Sequence, residues 1–328
     1  MTALPTCLPR PLLLGVDGGG SKTSVLLGTV DGAGDILVLG RGVAGPSNLR
    51  AVGKDLALAN LEKGISEAIQ KANLGSNLGS NLEGQSIDYA VLALAGSSLP
   101  DIKSEVSHWA KHRHLARQFE VVHDLDPVLA AGTTDGWGIA LIAGTGAVAR
   151  GVNQSGDSLT IGGWGHWFAD RGSGYDLGRN ALWAVAEAVD QTGPKTLLVE
   201  LILDKLKLSE AREIVPTISQ GANIQRQIAS LAPLVIYAAE MNDRVALSII
   251  DAATEEATKL ISQLAKRLEI TECFSLVVAG GLACTELYRT TLIAHLQSAG
   301  LRHQPLVTVD EPVIGSLKIA RAQWVSQP

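Results

Sequence analysis

Residues 14–24 read Leu-Gly-Val-Asp-Gly-Gly-Gly-Ser-Lys-Thr-Ser. An apolar strand runs into the carboxylate of Asp17, then into Gly18, Gly19 and Gly20, then into Ser21, Lys22 and Thr23. Glycine N–H groups approach an anion closely because no Cβ intervenes, and Asp17 and the two hydroxyls are hard oxygen donors for a hydrated Mg²⁺. This composition suits a phosphate and magnesium grip; a plain glycine-rich hairpin between buried strands has the same composition. The chain has no G-x-x-x-x-G-K-[ST] here, and no G-x-G-x-x-G leads into a helix. After Thr23 the sequence reads as a second strand ending in the Asp31-Gly32-Ala33-Gly34 turn, so the glycines belong to a β-hairpin.

The elements that must position this turn follow from periodicity. Strands are expected at 12–17, 23–30 and 35–41, then a helix over 51–72 with Leu56, Leu58, Leu61, Ile65 and Ile69 near helical spacing. Asn73–Gly84 repeats a four-residue Asn-Leu-Gly-Ser unit, which predicts an exposed loop. A strand at 89–95, a helix near 100–113, a strand near 119–123 and a helix near 126–132 complete the first part. The pattern then restarts: Gly138–Asp157 is strand, Gly/Thr turn, strand and polar turn, an echo of Leu14–Asp35 that predicts an internal duplication. Residues 176–268 read as largely helical, followed by a buried strand from Phe274 that meets Gly280 and Gly281, and a helix over 313–325.

Length and charge bound the function. A chain of 328 residues suits two domains of roughly 100–200 residues each. A net charge of −6 gives no broad attraction to nucleic acid or to an anionic membrane. Cys7, Cys273 and Cys284 form no pair and no metal-ligand spacing, which suits a reducing cytoplasm. Neither a signal peptide nor a run of ~20 apolar residues is visible, so a cytoplasmic location is expected. His108, His112 and His114, set among Lys111 and Arg113, lack the carboxylate or thiol that would complete a metal site, and a solvated helix face is the reading.

Four segments together carry a family resemblance. Val16-Asp-Gly-Gly-Gly-Ser-Lys-Thr, Ile142-Ala-Gly-Thr-Gly-Ala, Gly162-Gly-Trp-Gly-His with Asp170-Arg-Gly-Ser-Gly-Tyr, and Val278-Ala-Gly-Gly resemble, in order and spacing, the N-acetylglucosamine kinase family. That family sits in the BadF/BadG/BcrA/BcrD group of the actin, Hsp70 and sugar kinase superfamily. The resemblance runs from about residue 12 to 322; Gly-Gly-Trp-Gly followed by Asp-x-Gly-Ser is its most discriminating piece.

The resemblance implies an α/β fold of two ribonuclease-H-like, actin-like ATPase domains, each a mixed sheet flanked by helices, closing over ATP and a sugar. Residues 1–125, joined by the C-terminal helix at about 313–328, would form the first domain; 126–312, with a helical insertion, the second. The implied reaction is ATP-dependent phosphorylation of an amino sugar at its primary hydroxyl, N-acetyl-D-glucosamine to its 6-phosphate first, with glucosamine or another hexose as the alternative acceptor. Asp17 would hold Mg²⁺, and Gly18–Thr23, Gly144, Thr145 and Gly146 would bind the phosphates, since a charge spread over γ-phosphoryl oxygens calls for neutralisation. Gly280 and Gly281 match an adenosine-side turn, with a tight strand-to-helix turn as the alternative.

Asp124, at the end of the strand beginning at Phe119, is the expected catalytic base; Asp126 is a rival, and helix capping is the alternative for both. Asn48, Gly163, Trp164, Gly165 and Asp170 match sugar-binding positions, against a helix cap for 46–48 and a packed core tryptophan for Trp164. A homodimer is expected.

Two departures stand out. Relatives often have a glutamate where this chain has Arg171, which bears on substrate identity, and Ser21 replaces a commoner threonine. Two readings of other classes remain: an ATPase activator of a dehydratase, which needs iron–sulfur cysteines that are scattered here, and a non-catalytic sugar sensor, which needs neither Asp17 nor Asp124.

Overall fold

The computed structural model describes residues 10–75, 86–221 and 223–326. Cys7 and the Asn-Leu-Gly-Ser repeat from residue 76 onward lie outside them. The chain divides into two compact units: one runs to Thr134 and resumes at Glu311, the other is Asp135–Asp310.

The first unit is built on a five-stranded sheet. Apolar runs too short for helices make β1 (Leu13–Gly18), β2 (Thr23–Val30) and β3 (Ile36–Ala44), an antiparallel meander. Helices α1 (Leu49–Val52) and α2 (Lys54–Gly75) follow, separated by Gly53, so the single helix expected over 51–72 is two. α2 also continues through Asn73–Gly75, three residues expected in the loop. Next come β4 (Tyr89–Leu94), α3 (Pro100–His112), β5 (Gln118–His123) and α4 (Leu125–Gly132). β4 and β5 pair parallel, giving the order β3-β2-β1-β4-β5. β1 and β4 are apolar at nearly every position rather than alternating, because helices cover both faces. Leu14, Val16, Leu92 and Leu94 pack with Leu61, Ile65 and Val106 on one face; Leu13, Val91 and Ala93 pack with Val313 and Leu317 on the other.

The second unit repeats the arrangement. β6 (Gly138–Ala143), β7 (Ala147–Val152) and β8 (Ser158–Gly162) form a meander, and α5 (Gly174–Val189), α6 (Leu198–Leu206), α7 (Ile214–Ser219), α8 (Ile224–Ala229), α9 (Ala232–Glu240) and α10 (Arg244–Arg267) form the helical stretch. β9 (Leu276–Ala279), α11 (Glu286–Ser298) and β10 (Val307–Val309) complete it. Its strand order, β8-β7-β6-β9-β10, is the topology of the first sheet element for element. The duplication read from the Gly138–Asp157 echo is therefore present as connectivity. α12 (Val313–Val325) belongs to the first unit, where Ser316 Oγ donates to Val16 O at 3.0 Å. β8, α11 and β10 were not anticipated from the sequence. Two of them are short strands, and α11 buries only Tyr288, Leu292 and Leu296.

Candidate active site

Parallel strands present their C-terminal ends on one rim of a sheet, where α/β proteins place their chemistry. In the first unit the register aligns Gly18 of β1 with Leu94 of β4, and Leu94 with His123 of β5. Asp17, the Ala95–Ser97 turn and Asp124 therefore share that rim. The residues between β1 and β2, Gly19–Lys22, close a short turn in which Gly19 N–H donates to Lys22 O at 3.0 Å.

The three glycines have different reasons. A Cβ on Gly18 would collide with the Ser47 hydroxyl and a Leu94 methyl, so Gly18 serves close packing. Gly20 has nothing within 4 Å of a Cβ position and is exposed beside Ser21 and Lys22. None of the three has a positive φ, so conformational freedom is not the requirement.

Thr23 has a different position from the one its place in the run suggests. It is fully buried; its hydroxyl donates to Gly45 O at 2.7 Å and lies 2.8 Å from Ser47 Oγ, itself fully buried. Gly19 O accepts from the N–H groups of Ser47 and Asn48 at 3.1 and 3.2 Å. Thr23 thus fastens the 45–48 loop to the glycine turn and has both hydroxyl partners within the protein. Asn48 caps α1, its Oδ1 accepting from Arg50 N–H at 3.0 Å, and its amide NH₂ has no acceptor among the described residues.

The carboxylates at the rim are electrostatically coupled. Burial, then the nearby charge of Asp124, pushes Asp17 from 3.8 up to about 7, with Lys22 opposing. Asp124 precedes α4 yet makes no side-chain capping bond; its Oδ1 lies 2.8 Å from His123 Nδ1. Asp126 does the capping work instead, accepting from His123 N–H through Oδ2 at 3.0 Å. The two rivals therefore differ: one carboxylate is turned into the backbone, and the other faces a histidine that sequence reasoning had not singled out.

In the second unit the Gly144-Thr145-Gly146 turn joins β6 to β7. Gly144 O and Thr145 O accept from Gly174 and Tyr175 N–H at the start of α5, at 2.7 and 3.2 Å. Ser173 caps that helix through Asp176 N–H, and Asp176 Oδ2 accepts from Gly172 N–H at 2.9 Å while its Oδ1 accepts from Arg179 at 2.8 Å. The Ser173-x-x-Asp176 spacing is a helix-start signal that could have located this network. Asp170 is buried in a left-handed backbone conformation, φ 61°, and accepts from Ala147 N–H at 3.4 Å directly behind the turn. Burial raises its carboxyl, with the Ala147 bond opposing. The residue matched to sugar hydroxyls is thus packed against the Gly146–Ala147 backbone.

Gly280 follows β9 with φ 97°, and a Cβ there would lie 2.5 Å from Ala143 O, so only glycine fits. Ala143 O also accepts from Leu282 and Ala283 N–H, at 3.1 and 3.2 Å, joining the 280–284 turn to the end of β6. Gly281 is open, with nothing within 4 Å.

Trp164 is 77% exposed, which corrects the alternative of a packed core tryptophan; Trp167 and Phe168 beside it are exposed as well, at 82% and 88%. Gly163 N–H donates to Ala147 O at 3.2 Å, and Gly165 O accepts from Phe168 and Ala169 N–H, so the backbone of this loop is organised while its aromatics face solvent. Arg171 is exposed and lies 3.6 Å from Glu256 of α10. His108, His112 and His114 are exposed, and among the described residues no group of three or more His, Cys, Asp or Glu gathers as a metal site. No described helix is long and apolar enough to cross a membrane.

Residues 14–320 match the model of the BadF/BadG/BcrA/BcrD ATPase family. An N-acetyl-D-glucosamine kinase of Dictyostelium discoideum is 31% identical over 84% of this chain and 86% of its own. An N-acetylmuramic acid/N-acetylglucosamine kinase of Clostridium acetobutylicum is 33% identical over 74% and 76%. A candidate N-acetylglucosamine kinase structure from Porphyromonas gingivalis aligns with TM-score 0.70 at 19% identity, covering 95% of this chain and 99% of that one. The glucose complex of a Schistosoma mansoni hexokinase aligns at 0.54 and 12% identity, covering 95% and 85%. These two likenesses show a shared fold. With nearly the whole chain matched by the family model and both curated relatives above 30% identity, the chain belongs to the BadF/BadG/BcrA/BcrD ATPase family.

Proposed function

We propose that the protein is an ATP-dependent amino-sugar kinase that phosphorylates the primary hydroxyl of N-acetyl-D-glucosamine. The carrying observation is the carboxylate pair of Asp17 and Asp124 on the C-terminal rim of the first sheet, Asp17 with its raised carboxyl and Asp124 clear of helix capping. The kinase names of the two curated relatives support it.

Asp124 takes the proton from the attacking sugar hydroxyl as its oxygen bonds to the γ-phosphorus and the bond to ADP breaks; His123, 2.8 Å from it, orients the carboxylate. Asp17 and the exposed Gly20–Lys22 turn of the first unit receive phosphate; in the second unit, taken by itself, the Gly144-Thr145-Gly146 turn is the phosphate-binding candidate, its Gly144 N–H already donating to Gly146 O at 3.0 Å. Mg²⁺, when bound, supplies charge neutralisation of the phosphates. A carboxylate raised to about 7 beside a second carboxylate suits a cation, and few protein ligands suffice because Mg²⁺ keeps waters and phosphate oxygens. The unused amide of Asn48 in the first unit, and separately the Gly163–Gly165 loop with Trp164 in the second, are each candidates for sugar contact. Asp170 holds the 144–147 backbone in place from behind, a positioning role in addition to the one the resemblance implied.

The reading includes a cytoplasmic homodimer, for which Trp183 on α5, Tyr237 on α9 and Met241 at the C-terminal cap of α9, 58%, 51% and 57% exposed, are coverable apolar surface. An ADP-release assay over N-acetylglucosamine, glucosamine, N-acetylmannosamine, N-acetylmuramic acid and glucose tests the acceptor. Turnover is expected on N-acetylglucosamine and reduced at least about 100-fold in Asp124→Asn. Sugar-independent ADP release at the full rate refutes the kinase, and wild-type turnover in Asp124→Asn refutes the base.

A further inference from the structure

A cavity of about 610 Å³ opens along β5, the outer strand of the first sheet, toward the end of that strand remote from Asp124. One wall is a single face of α3, where Lys103, Ser107, Ala110 and Lys111 recur at helical spacing; the other is the β5 backbone over 118–121, with His114 and Arg117 at one end. Ala110, Ala116 and Phe119 supply its apolar part.

The charge here runs against the rest of the molecule, which is −6 overall. Neighbouring charges around α3 are paired: Glu105 with Lys54, and Arg113 with Glu62. Lys103 and Lys111, which face the cavity, have no ion-pair partner among the described residues. Lys111 near the helix C-terminus suits the helix dipole, but Lys103 stands near the N-terminal end, where the dipole disfavours a cation. Arg117 is oriented by Ser86, to which its Nε donates at 2.8 Å, and its pairing with Asp88 is loose, at 3.5 Å. Glu120 also borders the cavity, but strand alternation points its side chain to the face of Tyr89, whose hydroxyl burial and Glu120 together raise.

We propose that this cavity binds a sugar phosphate, independently of the catalytic reading above. The phosphate meets Lys111 and Arg117, Ser107 and the edge backbone meet sugar hydroxyls, and the ring lies against Ala110 and Phe119. Lys103, about 12 Å along the helix from Lys111, receives a second anionic group.

Calorimetric titration of the full chain with inorganic phosphate, glucose 6-phosphate, N-acetylglucosamine 6-phosphate and fructose 1,6-bisphosphate tests it. The same titrations are run on Lys103→Gln/Lys111→Gln and on Asp124→Asn. At least one sugar phosphate is expected to bind wild type and Asp124→Asn equally, and the double glutamine variant at least about tenfold more weakly. Lys103→Arg/Lys111→Arg should restore binding, which separates lost charge from lost folding, and turnover without added sugar phosphate should not change in either double variant. The proposal fails if no sugar phosphate binds wild type, if the glutamine variant binds as tightly, or if binding disappears with Asp124→Asn. Capture of an oligo-glutamate peptide with no sugar phosphate bound also overturns it.

Discussion

Removing the charge of Asp17 should stabilise the nucleotide-free protein, the opposite of what deleting a functional polar group does elsewhere. Its carboxyl titrates at about 7 in the fold against 3.8 when free. A folded-state value above the unfolded one means the fold holds a proton that the unfolded chain has lost. The stabilisation from that proton is fully present below 3.8 and is lost as pH rises through about 7. The full shift corresponds to about 4 kcal/mol at alkaline pH. Asp17 is only half-buried, so water screens part of this, and about 2 kcal/mol is the working figure. Asp17→Asn keeps the shape without the charge. Scanning calorimetry without nucleotide or metal should therefore show its transition about 4–8 °C above wild type near pH 8.5, with the gap narrowing as pH falls below about 7 and closing near 3.8. Added Mg²⁺ should raise the wild-type midpoint and leave the variant unmoved. A variant that melts at or below wild type at pH 8.5, or a gap independent of pH, would refute the assignment of a strained, ionisable carboxylate at this position.

Two further outcomes separate structural from functional residues. Thr23→Val removes one member of a fully buried hydroxyl pair and leaves Gly45 O and Ser47 Oγ short of a partner; urea unfolding should show a loss of about 1–3 kcal/mol. Trp164→Ala deletes a side chain that is 77% exposed, so the melting temperature should stay within about 2 °C, while the KM for the sugar rises several-fold with the KM for ATP unchanged.

Much of the scaffold was legible in the chain because its signals are local. Apolar runs bounded by glycine turns marked β1, β2 and β6, and the echo of one hairpin in the other disclosed the duplication that strand order then displayed. β8 and β10 escaped notice because three to five residues hold too little periodicity to read. The split of the expected 51–72 helix turns on Gly53, where φ is 82°.

By itself the sequence determined which residues were available for chemistry: a glycine-rich turn after Asp17, a carboxylate ending β5, a second glycine turn at 144–146. Those depend on residue type and order along the chain, and both are written there. Only the tertiary structure decided how the same residue types divide their labour, because side chains far apart in sequence choose their partners in space. Thr23 turned inward to Ser47, 24 residues away, while Ser21 stayed exposed. Asp126 took the backbone and left Asp124 to His123. Asp170 met the Ala147 N–H, 23 residues earlier in the chain, and Trp164 remained in water. A carboxylate near 7 at Asp17 likewise arises from burial and from the proximity of Asp124, which no local pattern encodes.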